Sequence, residues 1–185
     1  MLDVGCAYGP FLQTASERGW VSKGIDISQD AVSYVEGTLE LSCQVCDYEE
    51  YINNSNSLQV ITMWYVIEHF QSLKLILSKT ASLLQQGGVF AFSTPHNKGI
   101  SARRSLSSFL LNSPNDHYTI WSPKAAKVIL AQYGFVIRKV RITGHHPERF
   151  PFLGKFQFFR PLIHFISRLL RLGDTFEVYA VLERQ

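Results

Sequence analysis

Short apolar runs alternate along the chain with stretches of helical period. Leu2 to Val4 are apolar around one acid, which suits the end of a buried parallel strand. Phe11 to Glu17 have helical spacing and Gly19 ends that helix. Val21 to Ile27 then form a second strand that finishes on Asp26. Ser28 caps a helix from Gln29 to about Glu40, and Leu41 to Cys46 make a third strand. After the polar turn Asn53 to Ser57, Leu58 to Trp64 read as a fourth, central strand. Leu73 to Leu84 have helical period and are stopped by Gly87-Gly88, before a fifth strand from Val89 to Ser93. Ser122 caps another helix with Pro123 at its first position. Phe135 to Ile142 and Thr175 to Glu183 alternate like half-exposed strands. This order of strands and helices predicts an α/β fold with a doubly wound, mostly parallel sheet.

The first turn carries the candidate chemistry. Gly5 and Gly9 allow a tight turn and close backbone approach to a ligand, over which the next helix points its free N–H groups. Asp26, about 20 residues on at the tip of the second strand, stands where a Rossmann-type site holds a ribose by its hydroxyls. The pattern is Asp3-x-Gly5-x-Ala7-x-Gly9, not the G-x-G-x-x-G of a dinucleotide site. An acid two residues before the first glycine repels a pyrophosphate and suits a cationic amino-acid ligand, which disfavours a nicotinamide dehydrogenase.

This turn resembles the first motif of class I S-adenosylmethionine-dependent methyltransferases. Val66-Ile67-Glu68-His69-Phe70, at the matching distance, resembles the V-L-E-H-V signature of their ubiquinone-biosynthesis-like branch, and the run Leu83 to Pro95 is similar to that branch too. The resemblance implies a Rossmann-like seven-stranded sheet, helices on both faces, closed by an antiparallel C-terminal hairpin. It implies S-adenosyl-L-methionine as cofactor, held by Asp3, Gly5, Cys6, Ala7, Tyr8 and Gly9 under its methionine part. Asp26 falls at the ribose, with Ile27 next to it also on the cofactor, Asp47 and Tyr48 at the adenine, and Met63, Trp64 and Tyr65 where the two halves meet. Ala7 stands where the family has glycine, which is tolerable at negative φ. Members carry a helical segment before the first strand, and this cap is expected to be missing here.

If the acceptor is a hydroxyl, a base must take its proton near neutral pH, and histidine suits that task. His69, His96 and His117 lie near strand tips, and His69 ranks first as the catalytic residue because it follows the central strand. The bland alternative for Glu68-His69 is a structural network at a helix start. No two histidines and an acid share a helix face at ligand spacing, so no metal is expected. His145-His146 read as a solvated turn.

Composition narrows the rest. The 185 residues make one domain, 1–185, with 97–121 and 145–174 as substrate-side or lid insertions. Net charge of +3 is too small to argue for nucleic acid, and the chain has no Asn-Pro-Pro-Tyr-type motif after the fourth strand. Cys6, Cys43 and Cys46 form no even disulfide framework, so structural thiols and a cytoplasmic setting are expected. Residues 149–172 are aromatic-rich and basic, too interrupted by charge to span a bilayer. They read as an amphipathic helix, either a lid packed on the core or a second subunit, or a contact with a membrane surface or lipid-linked substrate. The expected function is methyl transfer to an oxygen of a small molecule, such as a quinone precursor, a sugar or a lipid-linked glycan. The alternative is a non-catalytic or truncated S-adenosylmethionine-binding module.

Overall fold

The computed structural model describes residues 1–53, 58–150, 152 and 156–183. Seven strands form one sheet: β1 Leu2–Val4, β2 Lys23–Asp26, β3 Cys43–Val45, β4 Leu58–Trp64, β5 Leu84–Pro95, β6 Phe135–Thr143 and β7 Thr175–Leu182. Their order is β3-β2-β1-β4-β5-β7-β6. Strands β1 to β5 pair in parallel, and β7 runs antiparallel between β5 and β6. The chain thus winds outward from β1 in one direction and from β4 in the other. That leaves a switch point at the β1/β4 pair, where open α/β sheets bind ligands.

Among the described residues seven helices join the strands: α1 Pro10–Glu17, α2 Gln29–Gly37, α3 Leu73–Leu83, α4 Ile100–Arg104, α5 Leu106–Leu111, α6 Pro123–Ala131 and α7 Arg160–Leu169. The caps are those their sequences call for. Ser28 accepts from Ala31 N–H and Ser122 from Ala125 N–H. Leu12 and Ala15 of α1, and Val32 and Val35 of α2, are buried against one face of the sheet with Cys6 and Cys43. The larger core joins Ile61, Met63, Phe90 and Phe92 to Trp121, Leu130 and Phe176. Each fully buried large apolar side chain stabilises by about 1.5–3 kcal/mol relative to exposure. In β7 the alternation is strict: Phe176, Val178, Ala180 and Leu182 are buried.

Several boundaries differ from expectation. β2 is shorter than Val21–Ile27 because β1 offers it only three partners, Leu2↔Lys23 to Val4↔Ile25. α2 stops at Gly37 and not Glu40, which takes positive φ. β3 covers only Cys43–Val45, and on this edge strand Gln44 and Val45 are exposed. Gly87-Gly88 do not stop α3, which ends at Leu83. They lie inside β5, where Leu58 pairs with Leu84 but Val60 with Val89, so the extra residues loop out and Gly87 takes φ +76°. Of the polar turn, Asn54 to Ser57 lie outside the described residues.

The 97–121 segment contains α4 and α5, and is tied to the segment that follows α7. Ile100 N–H donates to Leu172 O, while Ser101 N–H and Oγ donate to the two Asp174 carboxylate oxygens (2.8 and 2.6 Å). Arg149 also donates to Asp174 (2.6 Å). Among the described residues, no helix is long and apolar enough to cross a membrane.

Candidate active site

The loop between β1 and α1 lies at the switch point. Gly5, Ala7 and Gly9 all have positive φ (+66°, +47° and +74°). Gly5 is required twice over, because a Cβ there would also clash with Val66 Cγ2. Ala7 corrects the expectation of negative φ: it occupies the left-handed region at a cost of about 1 kcal/mol. Its N–H donates to Asp26 Oδ2 (2.8 Å), which helps to hold it there. Gly5 and Cys6 N–H donate to Ile25 O (2.8 and 3.2 Å), clamping the loop to β2.

Three acids stand on adjacent strands at this end of the sheet. Asp26, ending β2, also accepts from Ser28 N–H through Oδ1 (2.9 Å). Two backbone donors therefore fix its orientation, and its remaining lone pairs stay available to hydroxyls. Asp47, just past β3, accepts from Glu49 N–H (2.8 Å) and opens a turn. Asp3 is buried inside β1 and accepts from Thr62 Oγ1 (2.6 Å). Burial pushes its carboxyl up to about 7, against the lowering effect of the Thr62 hydrogen bond and aided by the nearby Asp26 charge. A cationic ligand above the loop would favour the ionised form of Asp3. This set of acids fits an amino-acid sulfonium nucleoside and repels phosphate. Ile27, exposed beside Asp26, adds an apolar surface suited to a purine.

Other candidate residues divide. Tyr8 and Tyr65 are exposed at the loop and at the β4 tip. Met63 is fully buried, and Trp64 packs edge-on against Phe11 with its Nε1 buried and without a partner. Cys6 lies behind the loop, its Sγ 3.4 Å from Cys43 Sγ. Cys46, expected inside the third strand, is partly exposed beyond β3. Tyr48 corrects the expectation of a side chain against adenine. Its phenol is in the core, hydrogen-bonded to Thr80 (2.9 Å), so the ring is unavailable there.

One turn of 3₁₀ helix, Ile67–His69, follows β4. Tyr118 and Thr119 N–H donate to Glu68 O (2.8 and 3.3 Å), which brings Asp116 and His117 onto this turn. His69 Nδ1 lies 3.0 Å from Asp116 Oδ2, and its ring stands edge-on to His117 at 4.7 Å. Asp116 thereby holds Nδ1–H and leaves Nε2 to accept a proton. Sequence reading missed Asp116, because it is remote from His69 along the chain and only the backbone bonds to Glu68 join the two segments. The Glu68 carboxyl is buried with both oxygens unpartnered, and burial raises its pKa.

Ligand atoms of Glu68, His69 and His117 all lie within 4.8 Å of one another. That spacing could accommodate a divalent cation. The search for two histidines and an acid on one helix face did not reach a cluster built from two separate segments.

His96 and His145 are structural. His96 is buried, with Nδ1 3.1 Å from Gly173 O and its backbone N–H on Asp174 O, so it is no candidate base. His145 is not a solvated turn residue: its nitrogens lie 2.8 Å from Ser167 Oγ and 3.2 Å from Ile142 O.

A cleft of about 600 Å³ opens around Met1, Val21 and Tyr51, where β1, β2 and β4 begin. It holds none of these groups, so chemistry and not volume marks the site.

The family described as "Methyltransferase domain" matches residues 1–140. A ubiquinone biosynthesis O-methyltransferase of Idiomarina loihiensis is 28% identical over 131 residues, covering 67% of this chain and 51% of the relative. One of Coxiella burnetii is 25% identical over 99 residues, covering 51% and 42%. The chain thus spans about half the length of the curated relatives it matches. A SAM-dependent methyltransferase from Archaeoglobus fulgidus superposes with TM-score 0.73 at 22% identity, covering 97% of this chain and 84% of that one. At that identity the likeness speaks for the fold.

Proposed function

The chain belongs to the methyltransferase domain family, and from that premise we propose that it transfers a methyl group from S-adenosylmethionine to an oxygen of a small-molecule acceptor. When bound, that cofactor supplies an electrophilic methyl group already activated on sulfur. The protein has to bind it, align the acceptor and exclude water.

In this reading Asp26, fixed by Ala7 and Ser28 N–H, takes the ribose hydroxyls. Asp3 lies under the methionine part and offsets its positive charge. Asp47 faces the adenine amino group, and Ile27 lies against the ring. Gly5, Cys6, Ala7, Tyr8 and Gly9 supply the loop surface. Met63, Trp64 and Tyr65 contribute backbone at the β4 tip. His69 accepts the acceptor's hydroxyl proton on Nε2, with Asp116 stabilising the resulting imidazolium. The segments 97–121 and 145–174 cover the acceptor side of the domain.

The observation that carries this reading is the doubly anchored Asp26 carboxylate beside a loop of three positive-φ residues. Acceptor candidates are a quinone precursor, a sugar or a lipid-linked glycan. Calorimetry with S-adenosylhomocysteine, followed by transfer of labelled methyl from S-adenosylmethionine to hydroxylated aromatics and sugars, tests it. Binding with turnover of at least one hydroxyl acceptor is expected. Binding without transfer to any acceptor would favour a non-catalytic module, and failure to bind would remove the reading.

A further inference from the structure

The segment between β6 and β7 leaves the sheet where Thr143 and Pro95 both pair with Thr175. It therefore projects from the same edge as the tips of β4 and β5. Its helix, α7, buries only Ile163 and Ser167, one turn apart. Leu162, Phe165, Ile166 and Leu169, spaced i, i+3, i+4 and i+7, form an exposed apolar ridge. Leu170, Phe156 and Phe158 extend it, with Phe158 88% exposed. An apolar ridge of this size on a helix surface marks an interaction site.

Arg160, His164 and Arg168 recur every four residues on α7 and, at about 100° per residue, lie on a different face of the helix from that ridge. Arg168 and His164 also line a cleft of about 510 Å³ with Arg171, Arg141, His145 and Gly144. Two acids lie near this cleft and each already has an arginine: Glu177 is 3.4 Å from Arg141, and buried Asp174, whose N–H donates to Gly144 O, takes Arg149. From Phe150 to Gly173 the sequence has no acidic residue. A helix with one apolar face and a separate cationic face, flanked by a cationic cleft, is complementary to an anionic lipid surface. A second copy of this face would bring arginines against arginines.

We propose that α7 and the cationic cleft beside it dock the protein on an anionic phospholipid bilayer. The ridge enters the headgroup boundary and the cleft takes a lipid phosphate. The helix lies in the interface and does not cross it, consistent with its ten residues. The inference is independent of the methyl-transfer reading.

The test is flotation of the 185-residue chain with vesicles of phosphatidylcholine, alone or mixed with phosphatidylglycerol. Wild-type protein is expected to float with the mixed vesicles only, and less so as salt is raised. The triple variant Phe158→Ser, Phe165→Ser, Leu169→Ser should lose about tenfold or more in partitioning with an unchanged melting temperature. Arg168→Gln with Arg171→Gln should abolish the preference for the anionic vesicles. Wild-type protein that stays unbound to both vesicles overturns the proposal, as does binding of inorganic phosphate without vesicle binding. A dimer that the triple variant converts to monomer assigns the face to a second copy and overturns it too.

Discussion

Replacing Asp3 by asparagine isolates the electrostatics beneath the ligand loop. Asp3 is buried and its carboxyl is raised from 3.8 to about 7, chiefly by burial. At about 1.36 kcal/mol per pH unit, ionising it in the folded protein without a cationic partner costs on the order of 4 kcal/mol. Its favourable contribution is fully present below about 3.8 and is lost as pH rises through about 7. The substituted amide keeps an acceptor for Thr62 Oγ1 but carries no charge. Its N–H groups need partners of their own, which cost about 1 kcal/mol. The variant should therefore be about 2–4 kcal/mol more stable than wild type at about pH 8 and no more stable at about pH 4. Urea unfolding of the ligand-free protein at both pH values measures this directly. A stability difference that is the same at both pH values would refute the reasoning. The same substitution should weaken S-adenosylhomocysteine binding about tenfold, because the ligand's ammonium loses its counter-charge.

Asp26→Ala removes the acceptor for Ala7 and Ser28 N–H and the proposed ribose contact. It should weaken S-adenosylhomocysteine by about 1.5–3 kcal/mol in calorimetry, and an unchanged Kd would count against the ribose assignment. His69→Ala should leave that affinity intact and lower kcat roughly 10²-fold or more, read as labelled-methyl transfer. Gly5→Ala meets both positive φ and a clash with Val66 Cγ2, and should lower stability by roughly 2–4 kcal/mol in thermal melts. Adding Val66→Ala should recover only the steric part.

Much of the scaffold was legible from local pattern. The alternation in β7, the caps Ser28 and Ser122, and the limits of β4 follow from residue period and polar side chains near their own backbone. Gly87-Gly88 misled because two glycines signal a turn but not whether it ends a helix or bulges a strand; the pairing of β5 with β4 decided it. At the site, Asp3, Asp26 and the loop glycines were readable because their spacing follows one β-α-β unit. Ala7's φ was not, since it depends on a hydrogen bond from 19 residues away. Tyr48's inward turn depends on Thr80, and Asp116 and His117 reach His69 through backbone bonds across the fold. Contacts of that separation leave no periodicity to read.

The claim beneath the methyl-transfer reading is that Asp3, Asp26 and the β1–α1 loop form a pocket for a sulfonium nucleoside. Titration calorimetry of the wild-type chain with S-adenosylhomocysteine tests this most directly. One saturable site is expected, lost or greatly weakened in Asp26→Ala. No heat of binding to wild-type protein, alongside tight binding of a nicotinamide dinucleotide, would contradict it.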